Sequence, residues 1–471
     1  MAFLKFNKSE LVNLSYSLKR EIICANKTGA YCNTSIVTCN TRRYHGLLAV
    51  PVDAFGGKKH LLLSSLDESL ILNGKRFNLG IHCYGSVYEP RGHKYIIDFE
   101  ADPVPKITYR VGEITFTKSI LLVPDSDQVM IRFELVKAPA KVRLLLTPFL
   151  DFRDIHALTD ENPNARTDGW EIPNGMSFNL YDGFPDLNMQ FNTKDVSFVT
   201  TPCWYKGVTY SDEYRRGFAC KEDLYVPGHF ETEMKPGDTI VFSASVGLTT
   251  PSGLKRKFDS YVAKAARITT YHEQLVHCAD LLKQDRGGHK MITAGFSWLY
   301  TGLLRETLEA LPGLTLYANG DKAEFEEILD NLIADNQDRL FHRTTQVDSP
   351  LTLADTLSRY IEFGADPKAV WKKYGQTVKG ILESYLPGRR GEVAMQPNGL
   401  LWAQLDHWAL SWMNAYIDGE PVTERPGYQV ETNALWFRSI LFAVTMEREY
   451  SKKDSAFLKE WSHILDLVRE N

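Results

Sequence analysis

The feature that most constrains this chain is a change in the spacing of its apolar residues near residue 250. Before it the spacing is two. "VMIRFELV" sets Val129, Ile131, Phe133 and Leu135 on one side and Arg132 and Glu134 on the other, and "EITFTKS" alternates Ile114 and Phe116 with Thr115 and Thr117. Such alternation marks an antiparallel strand with one buried face. Turn sequences punctuate the pattern: Asn73-Gly74 stands between "ESLIL" and "KRFNL", and "KPGDT" precedes "IVFSASV". After Ser252 the spacing is helical. "FEEILDNLI" carries Phe325, Ile328, Leu329 and Leu332, and "VETNALWFRSILFAV" carries Val430, Ala434, Phe437, Leu441 and Val444. Six helices are predicted, over 288–311, 322–336, 351–363, 366–386, 430–449 and 454–470, after a connecting helix near 255–284. A chain of 471 residues exceeds one core. The reading is multidomain β + α: a β-sandwich over 1–250, a linker helix over 251–284 and a helical domain over 285–471.

Charge narrows the function. The net charge of -5, from 54 basic and 59 acidic residues, argues against a nucleic-acid binder held by phosphate contacts. The basic run "LKRKF" reads as a solvated helix face. No stretch approaches the 18 apolar residues a membrane span needs. The start "MAFLKFNKSE" lacks a signal-peptide core, so a cytoplasmic protein is expected. The seven cysteines lack CxxC spacing and read as free thiols. Cys32, Cys39 and His45 fit no common zinc spacing, His272 and His277 are five apart, and no metal or cofactor is expected. There is no P-loop, GxGxxG or GxSxG signature.

Residues suited to carbohydrate chemistry gather at predicted helix starts and loops. They include Arg305-Glu306, Asp355, "LLWAQLDHWALSWMNAY" and "ERPGYQVETNALW". Trp402, Trp408, Trp412 and Trp436 fall within one short stretch. Aromatic faces stack on sugar rings while carboxylates and amides bond the hydroxyls. The competing reading has the same tryptophans filling a helical core. Glycoside hydrolysis asks for one protonated and one ionised carboxyl, and Glu306, Asp355 and Glu431 are the candidate acids. A separate cluster, Arg42, Arg43, Tyr44 and His45, stands before the strand-like run Leu47 to Val52.

"LKREIICANKTGAY" followed by "NTRRYHGLLAV", then "AGFSW", "RETLEALPGLTL", "NGLLWA", "SWMNA" and "RPGYQVETNALWF", resemble in order the sequence blocks of glycogen debranching enzymes of the bacterial amylo-α-1,6-glucosidase type. The resemblance implies an N-terminal β-supersandwich followed by an (α/α)₆ helical-hairpin toroid that cleaves α-1,6-linked glucose at trimmed glycogen or α-glucan branches. It places Glu306, Asn414 and Glu431 at catalytic positions and Arg305, Asp355, Trp402, Trp412, Arg425 and Trp436 at substrate contacts. Arg42, Arg43, Tyr44 and His45 would then contact glycan or pin the domains together. Departures accompany the match. Glu306 replaces the family's Asp, and the preceding "LYTGLL" lacks its Trp-Gly. Asn414 replaces the Asp that supplies the presumed general acid, and an amide cannot donate a catalytic proton as a carboxylic acid does. Six helices are half of the twelve such a toroid needs, so the expectation is an incomplete toroid whose own turnover is low. A glucan-binding homologue without turnover is the alternative. A phosphorylase would need a Ser, His or Lys cluster that does not occur near 390–436.

Overall fold

Two antiparallel sheets take up the first half of the chain. In the computed structural model, which describes residues 4–299, 302–343, 345–391, 393–451 and 455–471, one sheet runs in the order Lys5–Asn7, Ile96–Ala101, Pro105–Val111, Ile114–Leu122, Gln128–Lys137, Thr239–Ser245, Leu187–Phe191, Gly175–Phe178, Trp170–Ile172. The other runs Ser197–Thr209, Lys221–Met234, Val142–Asp154, Lys58–Leu72, Gly46–Val52, Tyr31–Ser35, Glu21–Ala25, with Lys75–Asn78 paired onto Lys58–Leu72. The turn into Lys75–Asn78 is Asn73-Gly74, with φ of 51° and 77°. Both residues adopt the left-handed backbone that a two-residue hairpin requires.

The core between the sheets includes Ile107, Tyr109, Phe116, Ile120, Ile131 and Phe133 from one sheet and Leu48, Val50, Leu62, Leu66 and Leu144 from the other. Gln128–Lys137 keeps the expected alternation, with Arg132 and Glu134 only half-buried. Ile114–Leu122 does not. Apart from Thr115 all its residues are buried, because the sheet is covered on its outer side too. Leu254 and Phe258 of the helix Leu254–Lys264 pack there against Leu121, Val123, Met130 and Val241. An ion pair crosses the sandwich: Lys118 Nζ lies 2.6 Å from Glu68 Oε1, both side chains 1% exposed.

The predicted connecting helix over 255–284 is two helices, Leu254–Lys264 and Tyr271–Leu281. Thr270 and Glu273 form a capping box that starts the second. The predicted helix over 288–311 is likewise replaced, by a strand His289–Ile292 and a helix Leu304–Leu311. Tyr300 and Thr301 lie outside the described residues, as does Asp454 at the predicted start of the last helix. By contact, Met1–Gly287 with Gly295–Tyr300 form one unit, and Gly288–Ala294 with Thr301–Asn471 form the other. The segment 295–300 therefore belongs to the sandwich unit, where Asn33 Nδ2 donates to Ser297 Oγ at 2.6 Å.

In the helical unit, Leu304–Leu311, Thr352–Glu362 and Val430–Tyr450 contact one another in sequence as an inner row. Lys322–Asp335, Pro367–Ser384 and Ala456–Glu470 pack outside them. The first helix widens into a π-helical turn over Pro312–Tyr317, where proline supplies no amide hydrogen to the regular ladder. Phe325, Ile328, Leu329 and Leu332 are the buried face of Lys322–Asp335. Val430–Tyr450 is rotated from the sequence expectation. It buries Thr432, Trp436, Ser439, Ile440, Ala443 and Val444, while Val430 and Leu441 are exposed.

Candidate active site

The inner helix Val430–Tyr450 begins with Glu431 in its first turn, where the helix dipole favours a carboxylate. The preceding loop folds back on itself through Ala403 and Gly427, whose backbones exchange hydrogen bonds of 3.1 and 2.8 Å. It thereby returns Arg425 to the helix start. The Arg425 fork donates to both Glu431 oxygens, with Nη2 to Oε2 at 2.8 Å. Trp412 Nε1 donates to Glu431 Oε1 at 3.2 Å. These bonds, Arg425's foremost, hold the Glu431 carboxyl below the usual range despite partial burial. Glu431 is thus an ionised carboxylate next to an indole that is 54% exposed.

A second group surrounds the start of Leu304–Leu311. Arg305 is buried and binds Asp348 bidentately, Nε to Oδ2 at 3.0 Å and Nη2 to Oδ1 at 2.6 Å. Glu306 Oε1 stands 3.9 Å from Arg305 Nη1. Burial first, and then the charges of Glu306, Asp348 and Asp355, push the Glu309 carboxyl up against the opposing effect of Arg305. Glu309 is thus the acid of this group whose protonated form is favoured, by burial and by its neighbouring carboxylates.

Two connections join the groups. Val347 N donates to the Leu410 carbonyl at 2.7 Å, tying the segment that carries Asp348 to the loop that carries Trp412. On Val430–Tyr450, Glu431 and Arg438 are seven residues apart and share a face. Arg438 Nη2 reaches Asp355 Oδ1 at 2.5 Å, and Arg359 Nε donates to Asp355 Oδ2 at 3.0 Å. Arg305, Glu306 and Asp355 thus fall in the first turns of Leu304–Leu311 and Thr352–Glu362, while Trp412 and Arg425 meet Glu431 in the first turn of Val430–Tyr450. Asn414 follows Trp412 on the same loop and is exposed.

Other predicted site residues fall elsewhere. Trp436 is fully buried, its Nε1 donating to the Gly399 carbonyl at 3.0 Å and its ring meeting Trp461 and Tyr385. It is a core residue and has no surface to offer a sugar. Trp402 is half-buried against Tyr428, their ring centroids 5.0 Å apart. His45 is fully buried; its Nδ1 accepts from Thr41 N at 3.1 Å and its Nε2 lies 3.5 Å from Glu21. Arg42 Nε donates to the same Glu21 at 2.7 Å. Burial alone would raise the Glu21 carboxyl, but His45 and Arg42 bring it down to about 2. Arg43 donates to the carbonyls of His156 and Ala219. Tyr44 meets His156 and Trp298 edge-on or tilted. All these partners belong to the sandwich unit, so the contacts of the cluster brace that unit's own loops.

Sequence reasoning missed Asp348 and Glu309, along with the network beneath Arg43. In that network buried Arg153 binds Glu222 and Asp151, and its Nη2 donates to the Arg43 carbonyl at 2.7 Å. The only available signal was "DSP" before an apolar helical run, a common helix-start pattern. His407, Glu420 and Glu424 bring ligand-capable atoms within 4.8 Å of one another. All three are exposed, and His407 Nδ1 already pairs with Glu420 at 2.7 Å.

The chain matches the family description "Glycogen debranching enzyme N terminal" over residues 20–241 and "Amylo-alpha-1,6-glucosidase" over residues 273–471. No curated protein sequence matches it. Among solved structures it is similar to a bacterial glucoamylase complexed with acarbose, at 9% identity and a TM-score of 0.50. That similarity covers 96% of this chain, which spans only 66% of the glucoamylase. A putative aldose 1-epimerase from Escherichia coli K12 aligns at 10% identity and a TM-score of 0.23, over 48% of this chain and 98% of its own. The glucoamylase likeness concerns the fold, here an antiparallel sandwich followed by a helical region. With the two family matches falling in order on the sandwich strands and on the helices, the chain belongs to the glycogen debranching enzyme family.

Proposed function

We propose that this chain binds a trimmed branch of glycogen or a related α-glucan on the Trp412 indole, and that its site serves hydrolysis of the α-1,6-linked glucose. The observation that carries the proposal is Glu431, held ionised by the Arg425 fork and the Trp412 N–H beside an exposed ring. A carboxylate fixed in charge and direction suits activation of water or stabilisation of the cationic sugar in the transition state. The proton for the leaving oxygen must come from another group. Asn414 cannot supply it. Glu306, next to buried Arg305 in the first turn of the inner helix Leu304–Leu311, is assigned that role. The glucoamylase of similar fold is complexed with acarbose, which agrees with a glycan in this type of site. A cytoplasmic setting fits seven free cysteines, among them Cys24 and Cys32, which face each other across paired strands without a bond.

The exposed amide of Asn414 favours one second reading, a glucan-binding homologue without turnover. Glucose release from phosphorylase-trimmed limit dextrin, measured beside tryptophan fluorescence with maltooligosaccharides, separates the two. Under the hydrolase reading the chain releases glucose, and Glu431→Gln lowers the rate roughly 10²- to 10⁴-fold while the fluorescence response persists. Fluorescence response without glucose release, with turnover appearing in Asn414→Asp, selects the binding reading. A folded chain that gives neither signal refutes both.

A further inference from the structure

A cavity of about 340 Å³ lies in the helical unit beside Lys322–Asp335 and shares no residue with the site above. Its volume is at the lower end for small-molecule sites, room for one pyranose-sized molecule. The aliphatic part of its wall includes Ile292, Ile328 and Leu332. Thr307, another lining residue, is 1% exposed, and its Oγ1 has no hydrogen-bond partner among the described residues. A buried hydroxyl left without a partner is costly unless something fills that role. Thr307 is two positions from Arg305 on the same helix, about 200° around its axis. The cavity therefore lies on the opposite side of that helix from the Arg305–Asp348 pair.

The charges lining the cavity are unevenly paired. Lys290 Nζ is 2.7 Å from Glu327, Arg343 Nε is 2.5 Å from Asp338, and the lining carboxylate of Asp335 is taken up by His289 Nε2 at 2.9 Å. Arg339 donates to the buried Asn336 amide at 3.1 Å but has no carboxylate partner among the described residues. An unneutralised guanidinium, an unpaired hydroxyl and an aliphatic wall together match a small polyol carrying one anionic group. The C–H faces of such a molecule pack on the wall, a hydroxyl completes Thr307, and the anion takes the charge-assisted bonds of Arg339.

We propose that this cavity is a second, non-catalytic site for a small anionic sugar, either a hexose phosphate or a hexuronate. Calorimetry on the full chain with glucose 6-phosphate, glucuronate, glucose and inorganic phosphate tests it. At least one anionic sugar should bind at millimolar concentration or below, about tenfold or more tighter than glucose and than inorganic phosphate. The phosphate and carboxylate arms identify which anion is preferred. Arg339→Met should remove the preference over glucose, and Thr307→Val should weaken binding about tenfold with the fold intact by circular dichroism. Glu431→Gln should leave the affinity unchanged, which separates this site from the glucan site. Glucose or inorganic phosphate binding as tightly as the anionic sugars, no binding by any of the four, or loss of binding in Glu431→Gln would each overturn the proposal.

Discussion

Lys59 gives the sharpest test of the physical account of the sandwich. The residue lies on the strand Lys58–Leu72 and is only 2% exposed. Its Nζ has no hydrogen-bond partner among the described residues and rests 5.6 and 5.5 Å from the ring centroids of Tyr31 and Phe296. Burial, with a further contribution from the Arg286 charge, lowers its pKa from 10.5 to about 7. A difference of that size corresponds to about 5 kcal/mol at ~1.4 kcal/mol per unit. The sign follows from proton counts. Below pH 7 the native state buries an ammonium and the full penalty is present. Between 7 and 10.5 the unfolded chain binds more protons than the native one, so stability rises with pH. Above 10.5 both states are neutral and the penalty has gone. Lys59→Met keeps the apolar stem and removes the amine. It should stabilise the sandwich by about 3–5 kcal/mol in mildly acidic buffer, with the gain fading as pH approaches the unfolded value. Two units need not unfold together. The appropriate measurement is hydrogen exchange of the Lys58–Leu72 amides by mass spectrometry, for both proteins across that pH range. Taking the difference between the proteins cancels the other titrating groups. A gain that does not change with pH, or a variant less stable than the parent at neutral pH, would refute the reasoning.

Other outcomes follow from the same contacts. Glu68→Gln should cost roughly 3–5 kcal/mol by stranding buried Lys118, while adding Lys118→Met should recover most of it, as read from denaturant melts. Trp412→Ala should weaken the fluorescence response to maltooligosaccharides without loss of stability. Trp436→Ala should instead lower stability by about 3–5 kcal/mol, as expected of an emptied core site. Because Arg425 holds the Glu431 carboxyl down, glucose release should be lost only as pH falls through that lowered value. In Arg425→Gln the loss should begin at higher pH, as read from the pH profile of glucose release.

The sandwich was legible because its strands keep a period of two and its hairpin turn carries Asn-Gly, signals that depend only on near neighbours. Where the reading failed, the deciding interaction was remote or the local signal was outvoted. A single helix over 288–311 looked plausible from its apolar residues, yet Gly295 and Gly302 interrupt it and Ser297 is claimed by Asn33, 264 positions earlier. The break between Leu254–Lys264 and Tyr271–Leu281 is written in Thr270 and Glu273, a cap signal inside a run whose overall apolar spacing suits one helix. For Val430–Tyr450 the period was right and the phase wrong. Val430, Ala434, Phe437, Leu441 and Val444 form an apolar stripe of which only Val444 is fully buried, whereas Thr432, Trp436, Ser439, Ile440 and Ala443 form another, and burial selected the second. The choice of candidate site residues came from resemblance. No local pattern predicts that Arg305 should find Asp348, or Arg438 find Asp355.

That choice of phase connects the core to the chemistry. On Val430–Tyr450 each residue turns the side chain by about 100°, so a one-residue error in docking would swing Glu431 away from the Arg425 fork. Trp436 fixes the rotation. Its ring is enclosed by Trp461 and Tyr385, and its N–H is committed to the Gly399 carbonyl. Tyr385 in turn donates its hydroxyl to the Val347 carbonyl at 2.6 Å, the residue next to Asp348, whose own N–H is bound to Leu410. A chain of contacts thus runs from the buried tryptophan through Tyr385 to both loops of the site. With the rotation set, Glu431 and Arg438 fall on one face about 10 Å apart along the axis, the first held by Arg425 and the second paired with Asp355. Trp436, expected from the sequence to contact substrate, is instead a core residue that decides which way the helix presents Glu431.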